Sequence, residues 1–390
     1  MSVGWDADPV VTSTPGRPAL ASDVTADVCV VGLGGSGLAA VGEALARGLS
    51  VVGLDAGRVA AGAAGRNGGF LLGGPAIAVH QAAANWGPDG LVDALALYRE
   101  TLKEIANLET LLGTDVIRRT GSIRLAGLPG PAGNAAEVLD QAAELADCAE
   151  QHRVLTGHGI AVEHYDGPLG VGLYLPDDAA MNPARRALGL AEHYARMAGA
   201  SLYENSPVLA LEPGRVVTAD GSVTAGLIVV AVDGKLDVLL PELAGRVRTA
   251  RLQMLATAPI QPGRLPCPVY ARWGYEYAQQ DASGRMFIGG GRDRFVAEEW
   301  TTDAEPTSNV QAWIEQAAVR FAGQPIGVTH RWAASVGYTA DARPLVTQVK
   351  PGVVACGGYC GTGNLVGPIA ARAAVALGLE GTKPAGYFAM

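Results

Sequence analysis

A chain of 390 residues, 49% of them hydrophobic, can bury a sizeable core and is long enough for two structural units. Its net charge of −9 and the lack of any basic run argue against a nucleic-acid partner, because phosphate binding needs clustered Lys and Arg. Cys29, Cys148, Cys267, Cys356 and Cys360 show no CxxC spacing and no matching His pair, which argues against disulfides and zinc.

Residues 1–25 read as an N-terminal extension, with Pro15 and Pro18 among Ser, Thr and Asp and no basic segment ahead of an apolar stretch. No apolar run is long enough to span a bilayer, so a cytoplasmic protein is expected. A buried strand is predicted over 26–31, a helix over 37–47 with Leu38, Val41 and Leu45 on one face, and a second strand over 50–54. Together they form a βαβ unit. The apolar period over Gly90–Leu112 predicts a long helix stopped by Gly113, and Asn182-Pro183 caps another that runs to Met197. Strands follow over 208–211, 215–218 and 227–232, separated by the turn pairs Pro213-Gly214 and Asp220-Gly221. Further short strands over 253–256, 270–279 and 285–288 suggest an antiparallel sheet. A helix over 310–321, a strand over 353–356 and a helix over 364–377 complete the chain.

Two glycine-rich turns bracket this order. The first, Gly32-Leu33-Gly34-Gly35-Ser36-Gly37, matches GxGxxG between a strand and a helix. Gly32 makes the turn, Gly34 admits a pyrophosphate, and Gly37 lets helix pack on strand. Asp55, followed by Ala56, ends the next strand and is placed to bond a ribose hydroxyl. NAD and FAD both fit these features. The segment 62–70, with Arg66, Asn67, Gly68, Gly69 and Phe70, favours FAD, since its exposed amides could meet a flavin ring; a flexible loop is the alternative. The second turn, over 357–364, contributes Gly358, Tyr359, Gly361, Thr362, Gly363 and Asn364 before a helix whose positive end would stabilise charge on a reduced flavin.

The motifs VVGLGGSGLAA with LDAG, GAAGRNGGF, VVAVDGKLDVLLPEL, YTADARPLV and GGYCGTGN resemble those of the D-amino acid oxidase-like flavoproteins, and the RNGG form is most similar to the branch containing gamma-glutamylputrescine oxidoreductase. The resemblance implies an α/β fold, an FAD-binding Rossmann-like, doubly wound domain with an antiparallel-sheet substrate domain. The FAD-binding segments would be 26–80, 150–235 and 330–380, and the substrate segments 81–149 and 236–329. Val208 joins the residues of the two turns and the 62–70 loop as an expected cofactor contact. Also implied is oxidation of a C–N bond in a small amine or amino acid, with hydride passing to flavin N5, hydrolysis of the imine, and reoxidation by oxygen or another acceptor.

Aligned on Thr339-x-Asp341, the flavin-linking cysteine of sarcosine oxidases falls near Ala334, so non-covalent FAD is expected. The carboxylate-binding arginine of glycine oxidase falls near Val336, which favours amines over simple α-amino acids. In a strand over 270–279, Trp273, Tyr275 and Tyr277 would share one face and wall a substrate cavity, unless they form a sheet core. Trp332 and Tyr359 are further substrate-side candidates. Arg292 and Arg294 suggest an anion site or a surface ion pair with Asp293. His152, His158, His164 and His193 lack metal-site spacing, Asp177-Asp178 reads as a turn, and no residue stands out as a general base. An NAD-linked dehydrogenase and a flavin-bearing subunit without turnover are the competing readings.

Overall fold

The protein was analysed as a computed structural model that describes residues 3–389. An eight-stranded sheet carries the nucleotide turn. In it Val24–Val31 lies between Val51–Leu54 and Ser222–Val230, all parallel, with Val353–Gly357 parallel on the far side of Ser222–Val230. These strands are rich in Val and Ile because both faces are covered. On one face the helix Gly35–Ala46 packs against the C-terminal helix Val366–Glu380, so the first and last segments of the chain form one layer.

A second eight-stranded sheet is antiparallel except where Val269–Ala271 runs parallel to Ser122–Leu125. Its cross-strand register aligns Trp332, Met254, Gly289, Tyr277, Tyr270 and Arg124 in a single row. The neighbouring row, Leu255, Ile288, Ala278, Val269 and Ile123, points to the other face and is sealed by the helix Ser308–Ala322. Strand alternation therefore separates a functional row from a core row. Gly289 is small for a reason: a Cβ there would overlap the Tyr277 ring.

Several expectations change. Glu163–Gly167 and Gly170–Leu175 form one margin of the second sheet and Val328–Tyr338 the other, although 150–235 and 330–380 were assigned to FAD binding. Strand propensity carries no information on which sheet a strand joins. The strand at 253–256 extends over Arg248–Thr257, and that at 208–211 shifts to Ala210–Glu212. The run 270–279 is not one strand. A 3₁₀ turn, Arg272–Gly274, interrupts it, with Arg272 and Trp273 both at positive φ (49° and 52°), so Trp273, Tyr275 and Tyr277 do not alternate on one pleat. The N-terminal extension packs on the second sheet. Trp5 is buried and stacks on Phe287 with ring centroids 3.4 Å apart.

Candidate active site

At the first turn Gly32 adopts φ +93°, and a Cβ on Gly37 would overlap the Gly32 carbonyl. Gly34 is the helix N-cap in an extended conformation, and a Cβ there would meet only Ala64 Cβ, at 3.4 Å. The Asp55 carboxylate accepts from Leu33 N (2.8 Å) and Gly57 N (3.0 Å), which locks the second strand to the turn. Burial pushes its pKa up and the two amide bonds pull against that. Val208 packs half-buried on the core of the opposite sheet face.

Arg186, which the sequence did not single out, completes this corner. It is fully buried on the capped helix Pro183–Ala195, its guanidinium touches the space above Gly35, and Nη2 donates to the Asn364 carbonyl at 3.0 Å. Burial lowers its pKa to about 10, so it remains cationic at neutral pH. Its Nε has no partner, and among the described residues no carboxylate lies within ion-pair distance. Buried beside the first turn, its side chain ties the helix Pro183–Ala195 to Asn364 of the second turn.

The 62–70 loop is held carbonyl by carbonyl. Trp332 Nε1 donates to Arg66 O (2.7 Å), Trp5 Nε1 donates to Asn67 O (2.9 Å), and the Gln279 amide donates to Gly68 O. Asn67 and Asn364, 297 residues apart, exchange two amide bonds of 3.1 and 3.0 Å, joining the 62–70 loop to the second glycine-rich turn. Asp233 braces the second turn from below: Oδ1 accepts from Gly358 N (2.8 Å) and Tyr359 N (3.3 Å), and Oδ2 from Gly337 N (2.9 Å). Trp332 and Tyr359, the further substrate-side candidates, are buried and do not line the cleft.

Between the loops and the second sheet lies a cleft of about 930 Å³. Arg66, Asn67, Phe70, Gly361, Thr362 and Asn364 line its loop side, while Tyr270, Tyr275, Tyr277, Tyr338, Ala334 and Val336 line the other. Phe70 meets Tyr277 edge to face, with centroids 5.7 Å apart. Trp273 is 45% exposed at the rim, where the positive-φ turn displays it. Desolvation pushes the Tyr277 and Tyr338 phenols well above their usual range. Arg292 does not make the expected ion pair. Asp293 is taken by Arg272 and Arg294, and Arg292 instead lies over Tyr338 at 4.5 Å and Tyr275 at 5.6 Å. Glu276 points away, into Arg272 and Trp313.

The Asp177-Asp178 turn hides a structural acid. Asp178 is buried and accepts from Gly73 N (2.7 Å) and Ser122 Oγ (2.6 Å), fixing one wall of the cleft. Burial raises its pKa to about 6 from the ordinary 3.8. The native state thus holds this proton where the unfolded chain has released it, and stability falls as pH rises through that window, by about 3 kcal/mol in all. Asp178→Asn is expected to gain melting temperature relative to the parent between pH 4 and pH 8. Parallel melting curves across that range would contradict the assignment.

The glycine-rich turn between strand and helix and the tethered loop opening on a large aromatic cleft are compatible with a flavin dinucleotide, and with the family match the class follows: this is an FAD-dependent oxidoreductase. The family model described as DAO, FAD dependent oxidoreductase, matches residues 27–377, and the chain belongs to that family. It is 26% identical over 368 residues to the probable oxidoreductase OrdL of Rhizobium meliloti, covering 91% of this chain and 83% of the relative. Identity to gamma-glutamylputrescine oxidoreductase of Escherichia coli is also 26%, over 380 residues, covering 90% of this chain and 83% of the relative. The fold is similar to that of glycine oxidase from Geobacillus kaustophilus, with a TM-score of 0.71 at 19% identity, covering 93% of this chain and 96% of that one. No helix among the described residues is long and apolar enough to cross a membrane.

Proposed function

We propose that the enzyme oxidises the C–N bond of a small amine or amino acid, with a preference for primary or secondary amines over simple α-amino acids. The observation that carries this is the aromatic cleft directly over the tethered 62–70 loop. The named activities of gamma-glutamylputrescine oxidoreductase and glycine oxidase support the same class. FAD, when bound, supplies the two-electron acceptor for the carbon next to nitrogen. Phe70, Tyr277 and Tyr338 exclude water and so favour the neutral amine, whose lone pair must assist the loss of hydride. Water then hydrolyses the imine, and oxygen or another acceptor takes the electrons.

The preference for amines rests on Val336, which with Ala334 gives the cleft an apolar strip and stands near where glycine oxidase is expected to carry its carboxylate anchor. A carboxylate brought there unpaired loses several kcal/mol of hydration. Anaerobic mixing should bleach the yellow holoenzyme faster with an amine panel than with glycine or D-alanine. Faster bleaching by the amino acids would make Arg292 or Arg66 the anchor. No bleaching by any of them would favour a subunit without turnover.

FAD is expected to be free of the chain. Cys360 is held by Thr339 N at 3.4 Å, and burial pushes the Cys356 and Cys148 thiols up to about 12 and about 11, so the neighbourhood holds no ready thiolate. Acid precipitation should leave the colour in solution. Colour retained in the pellet would show a covalent link.

A further inference from the structure

The loop that brings Arg66, Asn67 and Gly68 to the cleft has three consecutive carbonyls, each held by a side-chain donor from a different segment. Two of the donors, Trp332 and Gln279, belong to the second sheet. The third is Trp5, from the N-terminal segment, whose Nε1 lies 2.9 Å from the Asn67 carbonyl. In a trans peptide the C=O and the following N–H point in opposite directions, so holding the Asn67 carbonyl also fixes the aim of the Gly68 N–H. That N–H has no acceptor among the described residues, although Gly68 is buried and lines the cleft. Buried backbone donors are seldom left unpaired, and this one is available to a ligand atom.

The N-terminal segment is itself pinned from two sides. Trp5 lies flat on Phe287, with 3.4 Å between centroids and 2° between planes, and Gly4 runs so close to the second sheet that a Cβ would meet Ala256 Cβ at 2.5 Å. Arg285 Nη1 donates to the Gly4 carbonyl at 3.4 Å. On the other side the Asp8 carboxylate accepts from Nδ2 of Asn182, the cap of the helix Pro183–Ala195, at 3.2 Å, and Arg185 Nε lies 3.8 Å from it. The segment thus bridges the second sheet and the nucleotide half while its indole holds the loop. A tryptophan that only filled a core would need no particular acceptor, whereas this one takes the middle carbonyl of the tethered three.

We propose that Trp5 is a positioning residue of the flavin site and that the N-terminal segment acts as a strap, its order coupled to FAD occupancy through the Asn67–Gly68 peptide. The inference rests on the placement of FAD against the 62–70 loop. Linkage makes the coupling reciprocal: a strap that tightens FAD binding must itself be tightened by FAD.

The test has two parts. Hydrogen exchange read by mass spectrometry, on the parent chain with FAD bound and after its removal, follows the 62–70 loop and the segment 3–13 separately. FAD should slow exchange by about tenfold or more in both. Trp5→Phe keeps a ring on Phe287 and removes the indole donor, so the FAD dissociation constant should rise by about tenfold and the gain in melting temperature on FAD binding should shrink. A packing role alone would lower the melting of apoprotein and holoenzyme together and leave the dissociation constant unchanged. Asn67→Ala, which loses the bonds to Asn364, tests the loop itself and should weaken FAD at least as much. If FAD slows exchange in the loop and not in segment 3–13, or if Asn67→Ala weakens FAD while Trp5→Phe stays within twofold of the parent, the strap is wrong and the placement of FAD stands. If FAD alters neither segment and Asn67→Ala binds it normally, the placement fails and the strap fails with it.

Discussion

Gly34→Val is expected to fold and to purify without colour. The residue sits at φ −75° and ψ −169°, a conformation open to any amino acid, and a Cβ there meets only Ala64 Cβ at 3.4 Å. Loss of a glycine N-cap to valine costs the helix Gly35–Ala46 about 1 kcal/mol, a small effect on melting. FAD meets a different situation, because the side chain projects where the pyrophosphate must approach the backbone. Affinity should fall by about a thousandfold or more, equivalent to about 4 kcal/mol. Gly37→Ala makes the contrast: its Cβ overlaps the Gly32 carbonyl, so fold and cofactor should be lost together. A yellow, fully loaded Gly34→Val protein would show that the phosphates bind elsewhere.

Asp233→Ala should strongly destabilise the second turn. Three backbone amides, on Gly337, Gly358 and Tyr359, lose the carboxylate that accepts from them in a buried corner. At about 1–3 kcal/mol for each orphaned donor, partly relieved by relaxation, the loss is about 3–5 kcal/mol. Asp233 also sits at φ 46°, which alanine tolerates poorly. Asp233→Asn should cost less in stability, since its amide oxygen can still serve Gly358 and Tyr359 while its NH2 faces Gly337 N–H. Both variants should bind FAD more weakly, because the turn that carries Gly361 to Asn364 loses its brace. Urea unfolding with parallel FAD titration measures the two effects, and an alanine variant within about 0.5 kcal/mol of the parent would refute the bracing role.

Much of the nucleotide half was legible from near neighbours along the chain. Valine-rich strands, the positive-φ turn at Gly32, the close helix–strand contact at Gly37 and the acid that ends the second strand lie within one βαβ unit, where spacing alone specifies geometry. The helix Gly90–Leu112 shows the same kind of local determination, from apolar period to stop glycine. The cleft was less legible. Trp273 and Tyr275 were read as strand residues because aromatic content mimics a strand, whereas the positive-φ turn at Arg272–Gly274 is set by surroundings that the local pattern does not encode.

What the sequence by itself determined, then, is the class of chemistry: a dinucleotide turn, a glycine-rich loop and a second turn that resemble one flavoprotein family, to which the chain belongs. The tertiary structure decided what surrounds that chemistry. Arg186 and Arg124 are ordinary arginines in the chain, and only folding buries one against Gly35 and places the other in register with Tyr270. Trp5 lies 62 residues from the carbonyl it tethers, and Trp332 lies 266 from its own. Periodicity reports which face of an element is buried, but the partner across that face is chosen by packing between segments distant in sequence, and that choice shapes the cleft and the groups left facing it.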